Sequence, residues 1–246
     1  MFSFSFKGVS SDSFTGLIVS ELPPVTIPPQ RFEQIEIDGK DGDIINLLGR
    51  GAYDKEILLG LSHGYDLNAI ASWLSGSGNL ILSNEPDKYY EACILEQVDF
   101  SRLVRFKTAT VRFHVQPYKY PVSETRVDVR PVASTYTLTL NNLGNAEALP
   151  YMTIILDSTI SAEGYLTCKK NNSSGAEIFK FDFTHHVGTL NFDCKAYDVS
   201  TGSGGKNTFM YGSFPVLAPG QNSFYFKCDD GMKINRIIVS GISRWL

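Results

Sequence analysis

Apolar and polar residues alternate at a period of two along most of the chain, which is typical of β-strands with one buried face. In the first half, the alternating segment RFEQIEID is followed by the turn-rich GKDGD and then by IINLLG and YDKEILLGL. This order predicts strands joined by a long, glycine-rich hairpin between about Ile35 and Leu61. Two further strands are predicted in YYEACILEQVDF and LVRFKTATVRFHVQ, after a turn at EPDK.

One segment of the first half follows the helical period instead. In DLNAIASWLSGSG the apolar residues recur on one face, Asp66 stands where it can cap the first turn, and Gly76 can end the helix. The pattern therefore predicts a short helix of about two to three turns that packs against the strands.

From Ala133 onward the helical period is absent and short strand-like segments recur between turns. They are TYTLTL, YMTIIL, YLTCKK, EIFKFDF, TLNFDCKAYDV, NSFYFKC and KINRIIV. Such spacing favours an all-β sandwich. The stretch from Tyr118 to Tyr136 mixes prolines, charges and β-branched residues, as a connection between domains does. We therefore predict two mainly β domains, residues 1–130 and 131–246.

The charge balance argues against nucleic acid as the main partner. The chain has 246 residues, with 22 Lys and Arg against 26 Asp and Glu, so its net charge is −4. A nucleic-acid-binding protein needs a basic excess to neutralise phosphates. The N-terminus lacks a basic region followed by an apolar core, and no stretch has the roughly 18 apolar residues of a membrane span. We therefore expect no export signal and no membrane partner.

Motifs for catalysis or cofactor binding are missing from the sequence. TGSGGKNT departs from a phosphate-binding loop at Ser200 and Asn207. His185 and His186 stand side by side without the spacing of a zinc-binding helix. The four cysteines form no CxxC pair and are expected to be buried free thiols. The sequence thus predicts a protein that is not an enzyme and has no metal site and no cofactor.

Several segments, taken in order, carry a family resemblance. They are FSFKGVSSDSFTGLIVSELPP, RFEQIEIDGKDGDIINLLGRGAYDKEILLGL, DKYYEACIL with RFKTATVRFHVQPYKY, NLGNAEALPYMTIIL, YGSFPVLAPGQNSFYF and KINRIIV. Over nearly its whole length the chain resembles the distal tail (Dit) proteins of long-tailed, non-contractile bacteriophages. It departs from the family at Lys40, where many relatives have arginine. It also lacks the long insertion that gives some relatives an added carbohydrate-binding module.

The resemblance implies a fold and a role. The implied fold has an N-terminal belt domain, with one short helix and a hairpin arm, and a C-terminal galectin-like β-sandwich. The implied role is structural: a homohexameric ring, single or as two stacked rings, at the distal tail tip of the virion. Its implied partners are further copies of itself, the tail tube or tail terminal protein, the tail-associated lysin or baseplate hub protein and a receptor-binding protein. DNA would only pass through the ring, and synthesis would take place in the host bacterial cytoplasm.

The hairpin is the candidate arm of such a ring, because identical copies need a surface element that reaches the next copy. Its candidate interface residues are Ile37, Ile44, Ile45, Leu47, Leu48 and Tyr53. The alternative is that the apolar residues of IINLL only fill the core of their own chain, and the sequence leaves both open.

A second function from a different class is also open. In it, the protein is a carbohydrate-binding adhesin that recognises host cell-wall polysaccharide through the C-terminal sandwich. Exposed aromatic side chains would make the contacts with sugar or with a partner, and the candidates are Tyr197, Tyr211 and Trp245.

Overall fold

A computed structural model of the protein describes residues 2–96, 98, 104–105, 107–124, 126–159, 162–184, 186, 188–202 and 204–246. Contacts within the chain divide it into two compact units, the first ending at Val122 and the second beginning at Ser123. This division lies before the predicted boundary at residue 130. The physical reason is the short strand Val127–Val129, which pairs with residues 237–239 and so belongs to the second unit.

The first unit is a β-sheet with one short helix. Its elements are β1 (Phe4–Phe6), β2 (Val9–Ser10), a 3-10 turn (Ser11–Ser13), β3 (Leu17–Glu21), β4 (Gln30–Glu36), β5 (Asp43–Arg50), β6 (Tyr53–Leu61), α1 (Leu67–Trp73), β7 (Ser77–Leu82), β8 (Glu85–Cys93) and β9 (Thr108–Pro121). Seven strands form one antiparallel sheet in the order β2-β1-β7-β8-β9-β6-β3. Strands β4 and β5 form a separate two-stranded sheet.

Helix α1 packs against the core of the first unit through its buried Ile70 and Trp73, as its periodicity predicts. The Asp66 carboxylate accepts hydrogen bonds from two backbone amides of the first turn, at 3.0 and 3.1 Å, so the predicted N-cap is confirmed. Trp73 ends the helix, stacks on Phe4 and Phe14, and donates its indole N–H to the Phe6 carbonyl at 3.0 Å. Within the described residues no helix is long and apolar enough to cross a membrane.

Several strand boundaries differ from those predicted, and β8 ends at Cys93, before the end of the predicted strand YYEACILEQVDF. The predicted turn EPDK is wrong, because Ser83 and Asn84 make the turn and Glu85 already pairs with Leu82. Strand β9 begins only at Thr108, because Lys107 has a left-handed backbone, with φ 61°, that interrupts the extended chain. The position of the turn at Ser83 and Asn84 depends on which residues of β7 and β8 pair with each other, and local composition does not define that pairing.

The second unit contains strands in two antiparallel sheets. Its strands are β10 (Val127–Val129), β11 (Thr135–Asn142), β12 (Tyr151–Leu156), β13 (Tyr165–Lys170), β14 (Glu177–Asp182), β15 (Thr189–Asp193), β16 (Asp198–Thr201), β17 (Gly204–Gly205), β18 (Met210–Gly212), β19 (Gly220–Cys228) and β20 (Ile234–Ser240), with a 3-10 turn at Asn207–Phe209. One sheet has the order β10-β20-β12-β15-β16-β17 and the other β11-β19-β13-β14-β18.

The two sheets of the second unit pack face to face. Phe179 and Phe181 on β14 contact Phe192 on β15 of the opposite sheet, with ring centroids 5.0 and 6.0 Å apart. All three rings are fully buried, as expected of a sandwich core. Burial also raises the pKa of the Cys194 and Cys228 thiols to about 12, which leaves them unreactive. The predicted mainly β fold class, with an all-β sandwich in the second half, is confirmed.

Candidate functional site

The hairpin of β4 and β5 is the most unusual surface of the first unit. Its strands pair in register from Gln30 opposite Arg50 to Glu36 opposite Asp43. The Gln34 side-chain amide donates to the Asp43 carboxylate at 2.6 Å across the two strands. Every residue of the ribbon between these ends is at least partly exposed, since no third strand of the described chain pairs with either edge.

Both faces of this hairpin carry exposed apolar side chains. Phe32 lies opposite Leu47 on one face, and these side chains are 56% and 70% exposed. Ile35 lies directly opposite Ile44 on the other face, and both are also exposed. Exposed apolar side chains grouped in this way mark a surface that another molecule covers.

The structure therefore resolves the alternative left open by the sequence. The predicted arm residues in the hairpin are all exposed: Ile37, Ile44, Ile45, Leu47 and Leu48. They do not fill the core of their own chain, so that alternative is wrong. Their role as interface residues stays a prediction, because a single chain contains no neighbouring copy.

Tyr53, the remaining predicted arm residue, lies outside the hairpin. It is the first residue of β6, pairs with Val115 in the seven-stranded sheet and packs on the core of the first unit. Its hydroxyl oxygen is buried, and burial raises the pKa of that hydroxyl. The predicted arm from Ile35 to Leu61 is thus too long, because β6 pairs with β9 instead of continuing the ribbon.

The carbonyl groups of the proline-rich loop that precedes the hairpin accept hydrogen bonds from side chains of the seven-stranded sheet, of its β7–β8 turn and of the hairpin. Asn84 Nδ2 donates to Pro23 O at 3.1 Å, Lys55 Nζ to Pro24 O at 3.0 Å, and Arg50 Nη1 to Pro28 O at 3.2 Å. Proline offers no backbone N–H, so side-chain donors replace the ladder that a strand would form here. The loop is thus bonded both to the seven-stranded sheet and to the hairpin that follows it.

Below this loop lies a buried polar cluster on the inner face of the sheet. The Lys119 ammonium is 2.9 Å from one Glu85 carboxylate oxygen, and the Tyr90 hydroxyl donates to the other at 2.5 Å. Lys55 Nζ lies 4.9 Å from the centroid of the Tyr90 ring. Burial lowers the pKa of Lys55, while burial and the Glu85 carboxylate raise the pKa of Tyr90.

The predicted aromatic contact residues of the second unit do not form one cluster. Tyr197 is 63% exposed and its ring makes a T-shaped contact with Phe214, with centroids 5.8 Å apart. Tyr211 lies on β18, is also exposed, and its ring instead contacts Tyr165. Trp245 is only half-buried and follows the last strand. The described ring contacts thus give Tyr197 and Tyr211 different partners.

The list of candidate interface residues missed four exposed apolar residues, three just before the predicted arm and one at its first position. They are Val25 and Ile27 in the proline-rich loop and Phe32 and Ile35 on β4. A signal was present in β4, because Phe32 and Ile35 are an odd number of positions apart and so lie on opposite faces of the strand. A strand with one buried face does not need apolar residues on both faces.

Metal-binding groups are not brought together in the part of the chain that the structure describes. There, no three His, Cys, Asp or Glu side chains are placed to hold a metal ion. Of the two adjacent histidines in the sequence, His186 is half-buried and His185 lies outside the described residues.

Comparison with known proteins addresses the fold. No family model and no curated protein matches the chain. Among solved structures, the crystal structure of the SPP1 Dit (gp 19.1) protein matches with a TM-score of 0.73 and 16% sequence identity, and the match covers 100% of both chains. That protein is described as a paradigm of the hub adsorption apparatus in phages that infect Gram-positive bacteria. Over its full length, this chain has the fold of a phage Dit protein.

Proposed function

We propose that this chain is a structural protein at the distal end of a long, non-contractile phage tail. In this proposal, six copies form a ring that connects the tail tube to the baseplate or tail-tip hub. The observation that carries the proposal is the match of fold over the full length of both chains to a protein of a phage adsorption hub. The protein acts by binding other proteins and is not an enzyme.

The exposed hairpin supplies the contact that a ring needs. Two strands alone are marginally stable in water, and this ribbon exposes apolar side chains on both faces. In a ring, each copy uses one surface to bind a different surface of the next copy. A neighbouring copy that covers Leu47 and Ile45 would remove these side chains from water, and the gain in free energy would favour assembly.

The C-terminal sandwich provides docking sites for further tail components in this proposal. These are the tail-associated lysin or hub protein and a receptor-binding protein, which together attach the virion to its host. The similarity of fold to the protein of a phage adsorption hub supports this part of the proposal, in which the protein lies at the tail tip of the virion.

The mass of the purified protein in solution tests the ring. Light scattering coupled to gel filtration should give about 164 kDa, six copies of the 27.3 kDa chain, and negative-stain images should show an open centre. Leu47→Asp should convert the ring to the 27.3 kDa monomer, because a carboxylate in an apolar interface would lose its hydration.

A matched control separates an interface effect from a general effect of added charge. Leu143 in the second unit is 73% exposed, as Leu47 is 70% exposed, so Leu143→Asp adds the same charge at an equally exposed leucine. We expect Leu143→Asp to leave the ring intact. A wild-type monomer at high protein concentration, or a ring that survives Leu47→Asp, would contradict the proposed arm.

The adhesin alternative stays a prediction. Titration with purified cell-wall polysaccharide tests it, with Tyr197→Ala, Tyr211→Ala and Trp245→Ala as the variants that should weaken binding. The structure adds one observation in its favour, which is the exposed Tyr197 ring beside Phe214.

A further inference from the structure

The second unit has a strand edge that no described part of the chain covers. Strand β11 lies at the end of its sheet and pairs only with β19. Backbone groups of an antiparallel strand point alternately toward and away from the neighbouring strand, and the Cys228 amide of β19 donates to the Ser134 carbonyl at 2.8 Å. It follows that the residues with N–H and C=O groups directed away from β19 are Thr135, Thr137, Thr139 and Asn141. No described residue forms a hydrogen bond with these backbone groups.

The edge of β11 lacks the features that normally protect an exposed strand. Natural proteins shorten such edges or place charged residues, proline or bulges on them, because a row of unpaired backbone groups pairs with strands of other chains. Strand β11 has eight residues, TYTLTLNN, with neither a charged residue nor a proline. Its pairing with β19 is regular from Thr135 to Asn142. A long, regular and uncharged edge of this kind is a site at which another strand can extend the sheet.

The other edge strands of the described chain all have at least one protective feature. Strands β2 and β17 have two residues each, and β10 and β18 have three. Strand β3 ends on Glu21, and its pairing with β6 shifts register. Both strands of the β4–β5 hairpin carry charged residues, and their pairing also shifts register. Among the described edges, β11 alone is long, uncharged and regular.

The side chains of β11 define the kind of strand that fits beside it. Thr135, Thr137 and Thr139 are exposed on the outer face, whereas Leu138 and Leu140 are buried in the sandwich core. An added strand would continue this alternation, with polar or β-branched side chains beside the threonines and apolar ones beside the leucines. A charged residue facing the core there would lose its hydration without gaining a counter-charge, because β11 has none. The edge therefore favours an uncharged strand.

We propose that the free edge of β11 binds an extended strand of another tail protein through backbone hydrogen bonds. That strand is uncharged along its paired residues and alternates apolar and polar side chains. The backbone bonds would supply the affinity, and the alternate side chains the specificity. The inference rests on the proposed function, because it names the chemistry of a partner that docks on the C-terminal sandwich.

Fluorescence anisotropy of a labelled peptide, titrated with the full-length protein, tests this edge. The probe is a short peptide that alternates threonine and valine, with one lysine at each end for solubility. We expect saturable binding at protein concentrations up to about 0.5 mM. The same peptide with alternate amides N-methylated has lost the donors that pair with β11 and should not bind. Absence of binding by the unmodified peptide, or equal binding by both peptides, would overturn the proposal.

Two substitutions at one position separate backbone pairing from side-chain contact. Thr137→Pro removes an N–H that points away from β19, so the ladder to β19 stays intact, and proline is tolerated on an edge strand. It should raise the Kd of the peptide about tenfold or more. Thr137→Val is the matched control, because it keeps the N–H and the β-branched shape, and its Kd should equal that of the wild-type protein. The N-methylated peptide tests the same bonds in the unaltered protein if Thr137→Pro disturbs folding.

The mass of each protein keeps this proposal separate from the ring. Thr137→Pro should retain about 164 kDa, six copies of the 27.3 kDa chain, while it loses the peptide. A wild-type mass of about 328 kDa, twelve copies, that falls to about 164 kDa in Thr137→Pro would show that a second copy covers the edge and would overturn the partner strand. A 27.3 kDa wild-type monomer that still binds the peptide through β11 would contradict the ring and support the edge.

Discussion

Strands β4 and β14 are similar in composition but differ in how far their apolar side chains are buried. RFEQIE in β4 and EIFKFD in β14 both mix aromatic or aliphatic residues with charged ones. Phe179 and Phe181 of β14 are fully buried, whereas Phe32 of β4 is 56% exposed. The difference lies in what faces each strand, because Phe192 of a second sheet covers β14 and no described element of the chain covers β4.

The spacing of the apolar residues along each strand also explains why β14 is buried and β4 is exposed. In β14, Phe179 and Phe181 are two positions apart and lie on the same face, so one covering sheet buries both. In β4, Phe32 and Ile35 lie on opposite faces, and a single layer of the chain's own residues buries only one of them. A ribbon that is apolar on both sides is suited to insertion between surfaces of another molecule.

The largest expected effect compares a phenylalanine from each strand. Phe181→Ala should lower the free energy of unfolding by about 3–5 kcal/mol, because it leaves a cavity in the sandwich core. Phe32→Ala should change it by only about 0.5 kcal/mol or less in the dissociated chain. Urea unfolding at concentrations below those of assembly measures both. Equal losses would mean that the hairpin packs within its own chain.

The second prediction compares a buried ion pair with an exposed one on the same strand. The buried pair is that of Glu85 and Lys119 in the first unit. Glu85→Gln should lower the free energy of unfolding by about 3 kcal/mol, because it leaves the buried Lys119 ammonium without its counter-charge. Asp87→Asn on the same strand is the control. Asp87 is exposed and pairs with Lys88 at the surface, so its loss should cost about 0.5 kcal/mol or less. Similar losses in urea would contradict the role of burial.

The smallest expected effect concerns an exposed ion pair of the sandwich. Arg236 donates two hydrogen bonds to the Asp128 carboxylate and holds the pKa of Asp128 below its ordinary value of 3.8. The unfolded chain therefore takes up the proton first as the pH falls. Stability from this pair is complete above pH 3.8 and is lost as the pH drops through the lower folded pKa.

Urea midpoints measured from neutral to strongly acidic pH test this pair. Asp128→Asn should flatten the acid limb of the stability curve and leave the fold unchanged. An acid limb as steep as that of the wild-type protein would show that other carboxylates account for it.

The sequence by itself determined the local features of this protein. Strands β5, β6, β11 and β19 and the Asp66 cap of α1 follow from residues a few positions apart, because side-chain periodicity and capping are properties of short segments. The order of the segments along the chain was also enough for the resemblance that anticipated the fold.

Only the tertiary structure decided which apolar residues are covered and which polar residues converge. Leu47 is exposed and Phe181 is buried because of elements distant in sequence, and alternation alone does not encode those elements. The same holds for Glu85 and Lys119, which form one buried ion pair although they lie on different strands. The preferences of neighbouring residues determine where a strand forms. Burial and the formation of a site depend on contacts between residues that are distant in sequence, which local patterns do not specify.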